Sequence, residues 1–183
     1  MNIHKNEVYL PSEDTLLLDY AVRKYKFNMV LEIGTGSGIV SLELSKRNNV
    51  VVAIDVDINI ILRLQESCKY IHNMNLICCD SASPFIDGVF DMIVFNPPYL
   101  PSDEIIDIAV DGGQKGIEVT KNWFKEASRC IKESGVILFV TSSFSDNIEL
   151  FEFIKNLGYE IRILERNNLF FETLFVVEVR YDN

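Results

Sequence analysis

The chain has 183 residues, of which 48% are apolar, and its formal net charge is −10 with a pI near 4.7. These values exclude an intrinsically disordered chain, fit one domain over residues 1–183, and disfavour a protein that grips phosphate backbones tightly. No run of about 18 apolar residues suggests a membrane helix, and the amino terminus lacks the apolar stretch of a signal peptide. We therefore expect a cytoplasmic protein without membrane contact.

The cysteines and histidines give no metal-binding pattern. Cys68, Cys78, Cys79 and Cys130 show no C-x-x-C spacing, and the chain has only two histidines. The sequence therefore predicts no metal site and favours free thiols in a reducing compartment.

Helical and strand patterns alternate along the chain. In order, they predict helix 12–25, strand 29–33, helix 39–47, strand 50–54, helix 57–71, strand 76–79, strand 91–95, helix 118–133, strand 136–140, helix 145–157, strand 160–164 and strand 173–179. Gly135 is predicted to end the helix before it, Ser145 to cap the next helix, and residues 166–168 to form the last turn. No helix fits between the last two strands, so one of them is expected to insert antiparallel.

A glycine-rich turn follows the first predicted strand. Residues 34–38 read Gly-Thr-Gly-Ser-Gly, and Glu32 lies inside the strand just before them. Such a strand-to-helix turn lets a ligand approach the backbone closely, but G-x-G-x-G is not the G-x-G-x-x-G spacing of dinucleotide sites. Because a carboxylate repels a pyrophosphate and attracts a cationic amino-acid group, the pattern favours a cationic ligand over a purely structural turn.

Two further carboxylates follow predicted strands. Asp55 ends the second strand about 20 residues beyond the glycine turn, where a carboxylate commonly accepts hydrogen bonds from ribose hydroxyls. Asp80 ends the third strand and is a candidate acceptor for an adenine amino group. Helix capping or loop solvation explains Asp80 nearly as well.

Residues 91–99 read Asp-Met-Ile-Val-Phe-Asn-Pro-Pro-Tyr, a buried strand that stops against two prolines. Pro97 and Pro98 cannot donate ladder hydrogen bonds, and each holds the residue before it in an extended conformation. Asn96 is therefore fixed at the carboxyl end of a strand, where open α/β sheets bind ligands, and Tyr99 lies just behind it. The group favours a planar ligand that carries an NH2; a turn that merely ends the strand is the alternative.

Residues 100–116 form the longest stretch without clear periodicity. A long loop after such a strand commonly acts as a lid or substrate platform, and Gly112 and Gly113 predict a turn within it. Phe170 and Phe171 are predicted to pack in the core or against a sheet edge. Apolar residues also crowd the start of the third helix, where they mark either an interface or core; these are Ile58, Ile60 and Ile61.

Together these motifs resemble the class I S-adenosylmethionine-dependent methyltransferases, and within them the HemK-like protein glutamine N5-methyltransferases. More narrowly, the chain resembles the stand-alone archaeal and eukaryotic branch that modifies class I release factors. The resemblance includes a front motif, Val8-Tyr9-x-Pro11-Ser12-Glu13-Asp14-Thr15, a diglycine motif, Asp111-Gly112-Gly113-x-x-Gly116, and Phe171-Glu172-Thr173-Leu174 near the carboxyl end. The front motif and the diglycine motif are the narrow evidence for this branch. The resemblance implies an α/β, Rossmann-like fold: a seven-stranded, mostly parallel sheet with one antiparallel strand near the C-terminus and helices on both faces. Residues 1–183 would form a single methyltransferase domain, with residues 1–27 covering the cofactor site.

The resemblance also implies a role for each motif residue. The cofactor S-adenosyl-L-methionine, released as S-adenosyl-L-homocysteine, would be bound by Thr15, Glu13, Glu32, Gly34, Gly36, Gly38, Asp55, Asp80 and Asn96. Asn96 and the Pro97 carbonyl would accept the two N–H bonds of a substrate amide, and Tyr99 would border the amide plane. These three residues form the catalytic set, and Pro98 completes the substrate-binding set.

Two other functions stay open at the level of sequence. The exocyclic amine of adenine is also planar, so an adenine-N6 methyltransferase acting on tRNA, rRNA or DNA is the first alternative. A non-catalytic scaffold with a methyltransferase fold is the second. The resemblance further implies two partners, a class I release factor as substrate and a small zinc-binding activator of the Trm112 type.

Overall fold

The computed structural model of the protein describes residues 12–103, 107 and 109–182. Its helices are α1 Glu13–Val22, α2 Ile39–Ser45, α3 Ile58–Ser67, α4 Glu118–Cys130 and α5 Asn147–Asn156. Its strands are β1 Met29–Ile33, β2 Val50–Asp55, β3 Met74–Cys78, β4 Phe90–Phe95, β5 Ile131–Ser142, β6 Tyr159–Asn168 and β7 Thr173–Tyr181. The start of the front motif, residues 8–11, lies outside the described residues.

The seven strands form one sheet in the order β3-β2-β1-β4-β5-β7-β6. β1 pairs in parallel with β2 and with β4, whereas β7 runs antiparallel to its neighbours β5 and β6. The expected single antiparallel strand is therefore confirmed. The strand order changes direction between β1 and β4, and a crevice for ligands opens at such a point beyond the carboxyl ends of the strands.

Helices cover both faces of the sheet because successive strand residues point to opposite sides. Val30 belongs to a core cluster with Leu18 of α1 and Leu44 of α2. The next residue, Leu31, belongs to a second cluster with Phe124 of α4. All five of these side chains are shielded from solvent. Each buried side chain of this size contributes roughly 1.5–3 kcal/mol, so the two clusters fix the strand ends in register.

Two predicted boundaries near the carboxyl half were wrong. Gly135 does not end a helix: α4 ends at Cys130, and β5 already begins at Ile131. The register with β4 shifts between Phe90 and Met92, so residues 131–135 form an irregular stretch that a periodicity argument does not recognise. Residues 166–168 belong to β6, and the turn falls later, where the Leu169 amide donates to the Glu172 carbonyl at 2.7 Å.

Two predictions about side chains were also wrong. Phe170 and Phe171 are not packed in the core, since they are 91% and 82% exposed at the tip of the β6–β7 hairpin. Asp146, rather than Ser145, caps α5. Among the described residues, no helix combines the length and apolar character that crossing a membrane requires.

Candidate active site

A cavity of about 1000 Å³ opens at the carboxyl ends of β1, β2, β3 and β4. This is the size range of small-molecule sites, and its position is the crevice that the strand order creates. The predicted site residues that line it are Thr15, Glu32, Gly34, Gly36, Asp55, Asp80, Asn96, Pro97, Pro98 and Tyr99. Residues that are far apart in sequence therefore line the same cavity.

Glu32, near the end of β1, is held by the glycine turn that follows it. Its Oε2 accepts a hydrogen bond from the Thr35 hydroxyl at 2.8 Å and another from the Ser41 hydroxyl of α2. The residue is only 4% exposed, and burial raises the pKa of Glu32 to about 7, because the two hydroxyl donors offset only part of the desolvation. A cation that enters the cavity would favour the ionised form and so bind more strongly to it.

The three turn glycines have different reasons to be glycine. At Gly34, φ is +69° and a Cβ would lie 2.7 Å from Cη2 of Trp123, which also lines the cavity. At Gly36, φ is +49° and no atom lies within 4 Å of a Cβ, so its backbone borders open space. Gly38 does not line the cavity; its Cβ would meet the Leu64 side chain, so it serves the packing of α2 against α3 rather than cofactor contact.

Asp55 is fixed at the end of β2 by backbone donors. Its Oδ2 accepts from the Gly36 amide and its Oδ1 from the Asp57 amide, both at 3.0 Å. A carboxylate has about four acceptor sites, so Asp55 retains capacity for ligand hydroxyls. Asp80 also lines the cavity, but it is exposed at the rim.

Asn96 follows β4 and carries an unsatisfied acceptor. Its Oδ1 is buried and has no hydrogen-bond partner within the part of the chain that the structure describes. Leaving such an acceptor unpaired costs about 1–3 kcal/mol, and a ligand N–H would remove that cost. Pro97 and Pro98 are buried beside it, so the segment that carries Asn96 is held firmly.

The diglycine motif lies directly behind this segment. A Cβ on Gly112 would come within 2.7 Å of the Pro98 carbonyl oxygen and 2.8 Å of the Tyr99 Cα. A Cβ on Gly116, where φ is +68°, would come closer still to the Tyr99 carbonyl oxygen, and the Gly116 amide donates to the Gly113 carbonyl at 2.9 Å. The predicted turn is therefore confirmed, and it also supports the backbone of residues 98–99.

The amino end of α1 closes the cavity from the other side. The Tyr99 hydroxyl donates to Oδ2 of Asp14 at 3.0 Å, and Asp14 is only 2% exposed. Thr15 lines the cavity beside it, whereas Glu13 does not: Glu13 is exposed, and its Oε2 accepts from Nδ2 of Asn167 at 3.2 Å. Glu13 is therefore not brought together with the other predicted site residues, because its side chain is hydrogen-bonded to the β6–β7 hairpin.

Sequence reasoning missed two residues of the site. Asp14 appeared in the sequence only as one member of a motif and was given no role, and Trp123 fell within predicted helix 118–133 without a role of its own. Trp123 packs edge-on against Phe95, with ring centroids 6.0 Å apart, and also forms part of the cavity wall. The residue Asp14 was at least present in the front motif; no sequence signal distinguished Trp123 from a core residue.

The cavity is strongly acidic. Among the described residues that line it, the only cation is Arg63, and the carboxylates are Asp14, Glu32, Asp55, Asp57, Asp80 and Asp107. Within the same described part of the chain, no cluster of histidine, cysteine and carboxylate side chains could hold a metal ion. The electrostatics therefore favour ligands that carry positive charge.

This sheet order, with a ligand cavity at the switch point, defines a class I methyltransferase. The family model described as "Methyltransferase small domain" matches residues 13–171. The chain belongs to this family and is a methyltransferase.

Relatives cover nearly the whole chain. A Methanocaldococcus jannaschii protein whose name assigns it to the protein N5-glutamine methyltransferases is 33% identical over 93% of this chain and 90% of its own length. Methyltransferase HEMK2 of Mus musculus is 29% identical over 84% of this chain and 80% of its own length. The structure of the E. cuniculi Mtq2–Trm112 complex, which methylates the termination factor eRF1, contains a chain with a TM-score of 0.78 and 27% identity; the match covers 95% of this chain and 98% of that one.

Proposed function

We propose that the protein transfers a methyl group from S-adenosyl-L-methionine to the side-chain amide nitrogen of a glutamine in a class I peptide chain release factor. The observation that carries this proposal is the buried, unpartnered Oδ1 of Asn96 on the cavity wall. An acceptor fixed in this position calls for a ligand N–H, and an unsubstituted amide supplies two.

The cavity residues fit the cofactor. Glu32 would face its α-ammonium group, the open backbone at Gly36 would allow close approach, and Asp55 would accept from its ribose hydroxyls. Asp80, on the exposed rim of the cavity, would accept from the adenine amino group, and Thr15 would cover the methionine end. When bound, the sulfonium supplies an already activated methyl group, so the protein needs neither a metal nor a strong nucleophile.

Residues 96–99 would orient the substrate amide nitrogen toward the methyl group. Asn96 Oδ1 and the Pro97 carbonyl would accept its two N–H bonds, which raises the electron density on a nitrogen whose lone pair is otherwise delocalised. Tyr99, fixed by its hydrogen bond to Asp14, would border the amide plane. Holding the two reactants in line in a sheltered cavity can contribute about 7–11 kcal/mol toward the barrier.

Two observations support a glutamine in a protein over an adenine in a nucleic acid. The net charge of −10 and the acidic cavity repel a phosphate backbone, and base flipping needs a surface that grips it. Two of the three relatives named above are also described as acting on glutamine or on a termination factor: the M. jannaschii protein by its name and the Mtq2–Trm112 complex by its title. A release factor as substrate would place the enzyme in the cytoplasm, where translation terminates.

A small zinc-binding activator of the Trm112 type is a further part of the proposal. β3 is an edge strand of the sheet, and next to it the side chains of Val56, Ile58, Leu62 and Ile77 are 62%, 49%, 55% and 37% exposed. An exposed edge beside apolar side chains is a ready surface for strand pairing with a partner. The Mtq2 chain that resembles this one was solved with such a partner. Of the three isoleucines singled out in the sequence, Ile61 is instead buried, with only 6% of its surface exposed.

The test is a transfer assay with labelled S-adenosyl-L-methionine on three acceptors: a purified class I release factor, tRNA and double-stranded DNA. Each reaction is run with and without the Trm112-type protein. The proposal predicts label only in the release factor, with strong stimulation by the added protein. Label in tRNA or DNA alone would favour the adenine alternative, and full activity of the chain by itself would exclude an obligatory activator.

A further inference from the structure

The tip of the β6–β7 hairpin presents two aromatic rings to solvent. Phe170 and Phe171 are 91% and 82% exposed, and their rings pack edge to face with centroids 4.5 Å apart. The turn beneath them is closed by the hydrogen bond from the Leu169 amide to the Glu172 carbonyl. Two large apolar side chains exposed on an ordered turn contribute nothing to the core, so their role lies outside the fold.

The hairpin tip, defined as residues 169–172, projects from the sheet edge at which the cavity opens. β7 begins where β5 ends, since Ser142 pairs with Leu174, and β5 is parallel to the strands that end at the cavity. The tip is tied to that edge: the Ser142 hydroxyl donates to Glu172 Oε1 at 2.6 Å, and the Ser143 amide donates to the Thr173 carbonyl at 2.8 Å.

The same connections lead directly to the methyl-transfer site. Ser145, three residues after the end of β5, donates its hydroxyl to the Tyr99 carbonyl at 2.8 Å. On the other side, Asn167 at the base of the tip donates to Glu13, the residue before Asp14. The tip is therefore connected to two segments that hold Tyr99. One is the loop after β5, which binds the Tyr99 carbonyl, and the other is the start of α1, which binds the Tyr99 hydroxyl.

We propose that the hairpin tip is a docking site for the protein acceptor. Phe170 and Phe171 bind an apolar patch on the acceptor surface, beside the glutamine that is methylated. This inference rests on the proposed function and specifies where the acceptor is held outside the cavity. Phe144 is also half exposed, and it lies between Ser143, whose amide donates to Thr173, and Ser145, whose hydroxyl donates to Tyr99. The acceptor surface that fits has an apolar patch next to basic residues, which complement the acidic cavity.

The acceptor is the occupant that this position favours. Every turnover must bring a macromolecule to Asn96, and the tip stands on the same edge, linked by hydrogen bonds to the segments around Tyr99. A single-stranded nucleic acid could also stack on exposed rings, but such sites combine aromatic platforms with a basic groove. The chain carries a net charge of −10, and its cavity is acidic.

The test compares the double variant Phe170→Ala/Phe171→Ala with the unmodified chain, in the presence of the activator. Ile86→Ala is the matched control, since Ile86 is an apolar residue that is 74% exposed, and it precedes β4, at the end of the sheet opposite to the cavity. We expect the double variant to raise KM for the release factor about tenfold or more, as loss of central aromatic anchors does, with kcat changed little. Cofactor affinity by calorimetry and Tm should match the unmodified chain.

The outcomes separate this inference from the proposed function. If the unmodified chain methylates the release factor and the double variant shows the same KM, the docking site is refuted and the function stands. If Ile86→Ala raises KM equally, the effect is not specific to the tip and the inference also fails. If the unmodified chain methylates RNA and not the release factor, the proposed function fails and this inference fails with it.

Discussion

The cavity has two sides that are built differently. On the donor side, formed by the turns after β1 and β2, the carboxylates already have partners in the glycine turn: Glu32 accepts from Thr35, and Asp55 accepts from Gly36. On the acceptor side, formed by residues 96–99 and the segments around them, Asn96 Oδ1 has no partner among the described residues. The donor side is complete before a ligand arrives, whereas the acceptor side is completed by the substrate.

The two sides also differ in how the chain assembles them. Donor-side contacts join residues within the single consecutive unit β1–turn–α2–β2. Tyr99 on the acceptor side is instead held by Asp14 at its hydroxyl, by Ser145 at its carbonyl, and by the close approach of Gly112 and Gly116. Changes on the donor side should therefore affect cofactor binding, and changes on the acceptor side should affect turnover with the cofactor still bound.

The largest effect is expected from Asn96→Ala. Removing the acceptor that aims the amide nitrogen should lower kcat roughly 10³-fold, in line with the loss of other preorganised hydrogen-bonding groups, while cofactor affinity stays within about threefold. Asn59→Ala, which removes another carboxamide from the cavity lining on the donor side, is the control and should keep near-normal kcat. Near-normal turnover of Asn96→Ala would contradict the proposed role of this residue.

Gly112→Ala should produce the next largest effect. Its new Cβ would meet the Pro98 carbonyl oxygen and the Tyr99 Cα, so the segment carrying the substrate acceptors must shift. Because displacement of reacting groups by about 1 Å can cost roughly 100-fold, kcat should fall by that order. Calorimetry with S-adenosyl-L-methionine should show an unchanged affinity; a parallel loss of cofactor binding would mean that the two sides are not separable.

Gly36→Ala should act on the donor side alone. Gly36 and Gly88 both have positive φ with open space around a Cβ, but only Gly36 lines the cavity. Each alanine should lower stability by about 1–2 kcal/mol through backbone strain, and only Gly36→Ala should weaken cofactor binding, by at least about tenfold. Thermal unfolding and calorimetry on the two variants measure these effects, and equal cofactor affinities would remove Gly36 from the proposed site.

The smallest effect concerns pH. Since the pKa of Glu32 is raised to about 7 by burial, its carboxylate is mostly protonated below that pH and ionised above it. If the ionised form binds the cofactor ammonium, affinity should rise roughly tenfold between about pH 5.5 and 7 and then level off. Calorimetry across this range should show the rise for the unmodified chain and a flat profile for Glu32→Gln; the same slope in both would assign it to another group.

The same carboxyl group has a consequence for stability. The folded chain retains a proton that the unfolded chain releases near pH 4.5, so Glu32 lowers the free energy of unfolding as pH rises from about 4.5 to 7. The full cost is about 3 kcal/mol above that range and is absent below it. Glu32→Gln should therefore gain stability relative to the unmodified chain as pH increases through this window.

The donor side and the parallel core were largely predictable, and the reason is local. An apolar run followed by a glycine turn or a pair of prolines specifies where a buried strand ends, so Glu32, Asp55 and Asn96 could be placed from their neighbours alone. Glu13 and Gly38 were expected at the cavity and are not there. A motif does not specify the direction of the Glu13 side chain. Nor does it specify the packing of α2 on α3, which Gly38 serves.

Long-range contacts account for what the sequence could not show. Asp14 meets Tyr99 across 85 positions, and Trp123 reaches the cavity only because α4 packs on β4. The exposed Phe170 and Phe171 contradicted the expectation for apolar residues, since composition does not reveal that β6 extends to Asn168 and carries them past the sheet edge. Pairing between strands, rather than propensity, sets these positions.

The central claim is that the nitrogen held at Asn96 belongs to a glutamine side chain. The most direct measurement is tandem mass spectrometry of a class I release factor after incubation with the enzyme, its activator and S-adenosyl-L-methionine. We expect one added methyl group on a glutamine side-chain amide, absent when Asn96→Ala replaces the unmodified chain. A methyl group on lysine, arginine or a carboxylate, or an unmodified release factor beside a methylated nucleic acid, would contradict it.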